Sequence, residues 1–107
     1  MTYDDALDAL GDRRRREIFQ VLGGARLTVA QIASRQPVSR PAVSQHLKVL
    51  AQAGLVRVEV EGTRHYYRVR REGLAELRAW VDGFWGDVLE SFAADVERRM
   101  AGEETQE

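Results

Sequence analysis

The sequence predicts a mostly helical α+β domain: four helices, a small β-hairpin and a long last helix, in the order α-α-α-α-β-β-α. Three observations predict it. Apolar residues recur at helical spacing in short runs as far as Leu50, the period drops to two across Val56–Val69, and helical spacing returns from about Glu72. A chain of 107 residues can bury a modest core unaided. We expect a single domain over residues 1–101 and a flexible tail over 102–107.

The elements follow from local chemistry. Residues 3–10 read as a short amphipathic helix with Leu7 and Leu10 on one side, broken by Gly11. Asp12 is a good N-cap for a second helix over 13–22, whose buried stripe is Ile18, Phe19 and Leu22. Gly23-Gly24 ends it. Thr28 caps a third, short helix running through Ile32 and Ala33 to about Arg35, and Pro37 stops it. Ser39 caps a fourth over Arg40–Ala53, with Pro41 in the first turn, where a missing N–H costs nothing, and Gly54 closing it as the residue beyond the C-cap. Alternation then sets Val56, Val58 and Val60 against Arg57, Glu59 and Glu61, Gly62 marks a turn, and Arg64–Val69 returns, with Tyr67 and Val69 facing the core and Tyr66 and Arg68 facing away. From Glu72, Leu74, Leu77, Val81, Phe84, Trp85, Val88, Leu89 and Phe92 are spaced by threes and fours. Gly83 and Gly86 bend this helix or admit a neighbour.

Composition narrows the function. There is no cysteine, which removes disulfides, thiolate catalysis and thiolate metal sites together. No run of about twenty apolar residues predicts a membrane span, and the acidic MTYDDALDAL start lacks a signal pattern, so we read the protein as cytoplasmic. Residues 1–71 hold thirteen Arg or Lys against seven acids, whereas residues 72–107 hold three Arg against ten acids. A basic body with an acidic C-terminal part suits a protein offering one face to a polyanion. Arg outnumbers Lys fifteen to one, which favours bidentate contact with phosphate or guanine; a GC-rich genome would bias usage the same way.

Two short helices, a tight turn and then a two-stranded wing make the winged helix-turn-helix order, in which the second helix meets base edges in the major groove. On a projection of about 100° per residue, Pro41, Ser44, Gln45, Lys48 and Gln52 fall on one side and Val43, Leu47 and Leu50 on the other. Gln pairs bidentately with adenine, Ser serves either base, and Arg40 can reach guanine or phosphate. Backbone N–H groups near Thr28 and Ser39 suit phosphates. The wing over 61–65 ends in Gly62-Thr63-Arg64-His65, basic and small enough to approach a backbone or minor groove.

The segments LGDRRRREIFQVL, LTVAQIA, VSRPAVSQHLKVLAQAGLVRVEVEGTRHYYRV and GLAEL resemble the ArsR-type winged-helix repressors over about residues 4–90. The FWGDVLESF segment is similar to a branch encoded beside SRPBCC-domain proteins. The resemblance implies a homodimer built from the first and last helices, about 3–10 and 72–100, that binds a dyad-symmetric operator near its own promoter and represses it. It implies base reading by Arg40, Ser44 and Gln45, with His46 a further candidate, and phosphate contacts by Lys48 and Arg64. Members that sense metals carry Cys pairs in the helix matching Leu27–Ala33, or Asp/His ligands on the last helix. Here the only histidines are His46 and His65, wrongly placed for such a site, so we expect no metal and no cofactor. The inducer mechanism does not carry over, and a small-molecule inducer is left open.

Plainer readings compete at several positions. His46 projects to the edge of the buried side, which favours a local or phosphate contact over base reading, and His65 reads foremost as a solvated strand residue. Arg13–Arg16 fan round their helix and cannot form one face, so salt bridges, for instance with Asp12 or Glu17, are favoured over DNA. Trp80, Phe84, Trp85 and Phe92 suit a core or dimer seam better than a ligand pocket. With Leu7, Leu10, Leu77, Val81 and Val88 they exceed what a small monomer can cover, which favours a dimer. The rival function is a protein-interaction module on the same fold; the charge asymmetry and the outward Ser44-Gln45-Lys48 set argue against it. An enzyme is weaker still, with no Ser–His–acid set at plausible spacing and no Gly-rich phosphate loop after a strand.

Overall fold

The computed structural model describes residues 3–105. The elements run α1 (Tyr3–Gly11), α2 (Arg13–Leu22), α3 (Val29–Ala33), α4 (Arg40–Gln52), β1 (Val56–Glu61), β2 (Arg64–Val69) and α5 (Arg71–Thr105). Contacts divide them into two units, residues 1–77 and 78–107.

Capping fixes the helix starts where the sequence places them. The Asp12 carboxylate accepts from the Arg15 amide at 3.0 Å. Thr28 and Gln31 form a reciprocal capping box, and the Ser39 hydroxyl accepts from the Ala42 amide at 3.3 Å. Gly54, at φ 77°, ends α4: its amide bonds Ala51 and the Leu55 amide bonds Leu50, both at 3.0 Å, the Schellman arrangement that wants a left-handed residue there. α3 stops at Ala33, about two residues short of the expected end, and the Ser34 hydroxyl donates to the Gln31 carbonyl at 2.7 Å, a side-chain alternative to further helix.

Residues 1–77 enclose one core. Ile18, Leu22, Ile32, Val43, Leu47, Leu50 and Leu55 are essentially inaccessible, with Ala6, Ala9, Leu27, Ala53 and Val56 beside them. Phe19, Tyr67, Val69 and Leu77 pack partly buried against this cluster. Each fully buried Leu or Ile contributes about 1.5–3 kcal/mol, so its inner stripe alone holds α4 in place.

The expected hairpin forms, with Val56 opposite Val69 through to Glu61 opposite Arg64. Gly62 takes φ 63° at the first central position of the two-residue loop, where such hairpins need glycine. The apolar face of β1 is covered only at its root: Val56 is buried, but Val58 and Val60 are 42% and 65% exposed. The hairpin projects beyond the core, so alternation continues where burial does not. A further bridge joins Leu27 to Tyr67 through bonds of 2.7 and 3.0 Å, tying the hairpin to the α2–α3 loop; one paired residue leaves no period to read.

α5 continues to Thr105, where the sequence predicts a flexible tail over 102–107. Ala101, Glu103 and Glu104 are good helix formers and outweigh Gly102; residues 106 and 107 lie outside the described set. Gly83 and Gly86 interrupt nothing, and a Cβ at either would meet no atom within 4 Å. The close approach is at Gly73 instead, where a Cβ would overlap the Gly54 carbonyl oxygen.

Candidate nucleic-acid interface

α4 is the centre of the candidate interface because its two faces have opposite fates. Val43, Leu47 and Leu50 are fully buried. Arg40, Pro41, Ser44, Gln45, Lys48 and Gln52 are all exposed. None of Arg40, Ser44, Gln45 and Lys48 forms a side-chain hydrogen bond or ion pair among the described residues. Uncommitted amide, hydroxyl and cationic groups on one rigid face can meet a polyanion and the donor and acceptor edges within it.

His46 is half-buried, unlike the exposed Ser44, Gln45 and Lys48 around it. Asp12 sits below the ordinary carboxylate value chiefly because the Arg15 backbone N–H bonds its charged form. Ser39 and Thr28 are present at the starts of α4 and α3, each with its hydroxyl already engaged in capping.

At the hairpin tip, Arg64 and His65 are exposed. The Tyr66 hydroxyl and Glu61 hold the Arg64 pKa above its ordinary value, so the tip keeps a positive charge. The polar face of the hairpin is largely self-neutralised. Arg26 lies 2.8 Å from Glu61 and stacks over Tyr66 with 4.3 Å to the ring centroid. Arg68 lies 3.5 Å from Glu59. Tyr66 and Arg68, expected to face away from the core, are thus occupied within the chain. Arg26 carried no periodic signal; the acids Glu59 and Glu61, alternating along one face of β1, were the available clue.

The arginine run of α2 has an internal use. Arg13 and Arg14 pair with Glu17 at 3.1 and 2.8 Å. Arg15 donates to the Ala9 carbonyl and Arg16 to the Leu10 carbonyl, both at 2.7 Å. These two side chains satisfy the orphan carbonyls at the end of α1.

The apolar residues expected at a seam divide between the units. In the first, Leu7 is 38% exposed and Leu10 and Leu77 are half-buried. In the second, Trp80 stacks on Phe84 at 5.5 Å between ring centroids, Val81 is half-buried, and Phe84, Trp85, Val88, Leu89, Phe92, Val96 and Met100 are exposed. No set of His, Cys, Asp and Glu suited to a metal ion occurs among the described residues, and no helix among them is long and apolar enough to cross a membrane.

Comparison with known proteins adds three findings. Residues 10–59 match the model of a helix-turn-helix domain family. The chain is 48% identical over 90 residues to the HTH-type transcriptional regulator Rv2034 of Mycobacterium tuberculosis, covering 84% of each, and 30% identical over 81 residues to the transcriptional repressor SdpR of Bacillus subtilis, covering 76% of this chain and 90% of that one. It superposes with a TM-score of 0.64 and 32% identity, over 78% of each chain, on the homodimeric winged helix-turn-helix DNA-binding domain of Mb0332 from Mycobacterium bovis, a possible ArsR-family transcriptional regulator.

Proposed function

This chain belongs to the ArsR family of winged helix-turn-helix transcriptional regulators, a family of regulators rather than enzymes, and on that premise we propose that it is a cytoplasmic homodimeric repressor of its own promoter. The exposed face of α4 carries the reading: Arg40, Ser44, Gln45 and Lys48 stand free on a helix whose other face is immobilised in the core. Two copies related by a two-fold axis place two such helices in successive major grooves, about one helical turn apart. Gln45 and Ser44 read base edges, Arg40 reaches guanine or phosphate, and Lys48, Arg64 and the amides at the start of α4 hold the backbone. His65 stands beside Arg64 at the wing tip, and Thr28 fixes the start of α3 behind α4. The second copy covers Leu7, Leu10 and the apolar residues of α5 from Leu77 to Phe92. Repression is supported by the similarity to SdpR. The absence of cysteine and the positions of the two histidines argue against a metal sensor, and the FWGDVLESF segment supports a link to the branch found beside SRPBCC-domain proteins.

Fluorescence anisotropy on the DNA upstream of the gene, against scrambled DNA at two salt concentrations, tests this. Binding at least tenfold tighter to the upstream fragment, about 1.4 kcal/mol, is expected. Gln45→Ala should cost roughly 1–3 kcal/mol on the operator and relax preference at one position of each half-site. Equal losses on operator and random DNA would refute base reading by Gln45. Absence of DNA binding by the dimer at either salt would favour a protein-interaction module.

A further inference from the structure

The hairpin register puts Arg57 directly opposite Arg68, and like charges in that relation repel. Only Glu59 stands near both, at 3.4 and 3.5 Å, and it also lies 3.8 Å from Arg26. Charge-assisted bonds close to about 2.7–2.9 Å when free to do so. One carboxylate is therefore spread over three guanidiniums without a short bond to any.

The same pair opens on a cleft of about 470 Å³ at the root of the wing, together with Arg71 and Glu72 from the start of α5. Arg71 has no hydrogen-bond or ionic partner among the described residues. The Nε of Arg68 is buried and has no acceptor, a donor that buried polar groups rarely leave unused. α5 begins at the cleft, and although the Gly73 and Leu74 amides bond the Arg70 carbonyl, the amides of Arg71 and Glu72 ahead of them add to the positive potential. Val69 and Leu74 supply an apolar wall. The volume falls in the range of organic-ligand sites, about 300–1,000 Å³.

From this we propose a ligand site at the wing root for a small organic oxyanion, a carboxylate or phosphate ester on a short carbon skeleton. Arg57, Arg68 and Arg71 bind its oxygens, and Val69 and Leu74 meet its carbons. The ligand fills the place between Arg57 and Arg68 that Glu59 serves poorly. It also bridges both wing strands to the first turn of α5, joining the element that touches DNA backbone to the helix that carries the dimer seam.

The test is calorimetry on the full chain with succinate and with glycerol 3-phosphate, each against sodium chloride of matched ionic strength. Saturable binding of one or both is expected, and which of them binds identifies a carboxylate or a phosphate ligand. Arg57→Gln/Arg71→Gln, at two exposed positions, should weaken that binding at least tenfold with an unchanged circular dichroism spectrum. Glu72→Gln should tighten it by removing the one acid lining the cleft, a gain that a misfolded variant cannot produce. No saturable binding beyond the chloride control overturns the proposal, as does binding that neither variant alters. Loss of DNA affinity in the double variant, with no small anion bound, would assign the cleft to the DNA backbone instead and equally overturn it.

Discussion

Gly73→Ala tests the packing at the root of the long helix. In a helix interior Ala is favoured over Gly by about 1 kcal/mol, so propensity alone predicts stabilisation. Against this, the new Cβ would overlap the Gly54 carbonyl oxygen and lie 3.0 Å from its carbon. Neither atom yields easily. Gly54 is held at φ 77° by the bonds that close α4, and its carbonyl accepts from Arg70 Nη1 at 3.2 Å. Forcing atoms into a packed site costs about 1–3 kcal/mol or more, and the obstacle here is backbone. The expected net result is a loss of roughly 1–3 kcal/mol, a fall of about 4–8 °C in Tm per kcal/mol for a domain of this size. Equilibrium urea unfolding, followed by circular dichroism at fixed protomer concentration, measures it; a dimer's stability depends on that concentration. Gly83→Ala and Gly86→Ala are the controls, because open space surrounds both within the chain. A midpoint for Gly73→Ala at or above the parent's would refute the contact.

Two further outcomes follow from the same structure. Asp12 has a folded-state pKa below its ordinary 3.8, so its charge stabilises the fold above that value, and the contribution is lost as pH falls through the folded-state pKa. Urea midpoints should therefore favour the parent over Asp12→Asn at pH 7 and converge as pH falls below 3.8; a gap independent of pH would contradict the role of the charge at this cap. Phe92 is 66% exposed within the chain, so Phe92→Glu should leave the helical spectrum intact and halve the mass seen by sedimentation equilibrium. An unchanged dimer would remove Phe92 from the seam.

Much of this molecule is legible in sequence where a local rule and a tertiary demand agree. Asp12, Thr28, Ser39 and Gly54 cap helices because side-chain oxygen and left-handed backbone are local properties. The register of β1 on β2 follows from alternation and a glycine turn. What escaped depended on distance. Val58 and Val60 obey the strand period yet lie beyond the reach of the core. Leu27 joins Tyr67 by a single bridge. Gly73 is one glycine among nine until the Gly54 carbonyl is seen above it. The outward face of α4 was legible because helical projection alone separates it from Val43, Leu47 and Leu50. The commitments of Tyr66 and Arg68 were not, since Arg26 and Glu59 reach them across the fold.

Charge in the sequence and charge available to DNA also differ. The body holds thirteen cationic side chains. Arg13, Arg14, Arg15, Arg16, Arg26, Arg57, Arg68 and Arg70 are engaged with acids or carbonyls, and Arg64 adjoins Tyr66 and Glu61. Arg35, Arg40, Lys48 and Arg71 keep no partner among the described residues. Three of these four belong to the helix-turn-helix, and the fourth lines the wing-root cleft. The basic run at Arg13–Arg16 therefore contributes little to the interface, and α4 with its flanks contributes most. If Arg40, Lys48 and the wing-tip Arg64 each neutralise one phosphate, a dimer releases counterions at about six, giving a slope of log K against log salt near −5. Lys48→Ala removes two of these per dimer and should flatten the slope by about 2 while weakening operator and scrambled DNA alike. A slope near −10 in the parent would mean that the arginines of α2 leave their acids and carbonyls to reach DNA, and the internal role given to them here would fail.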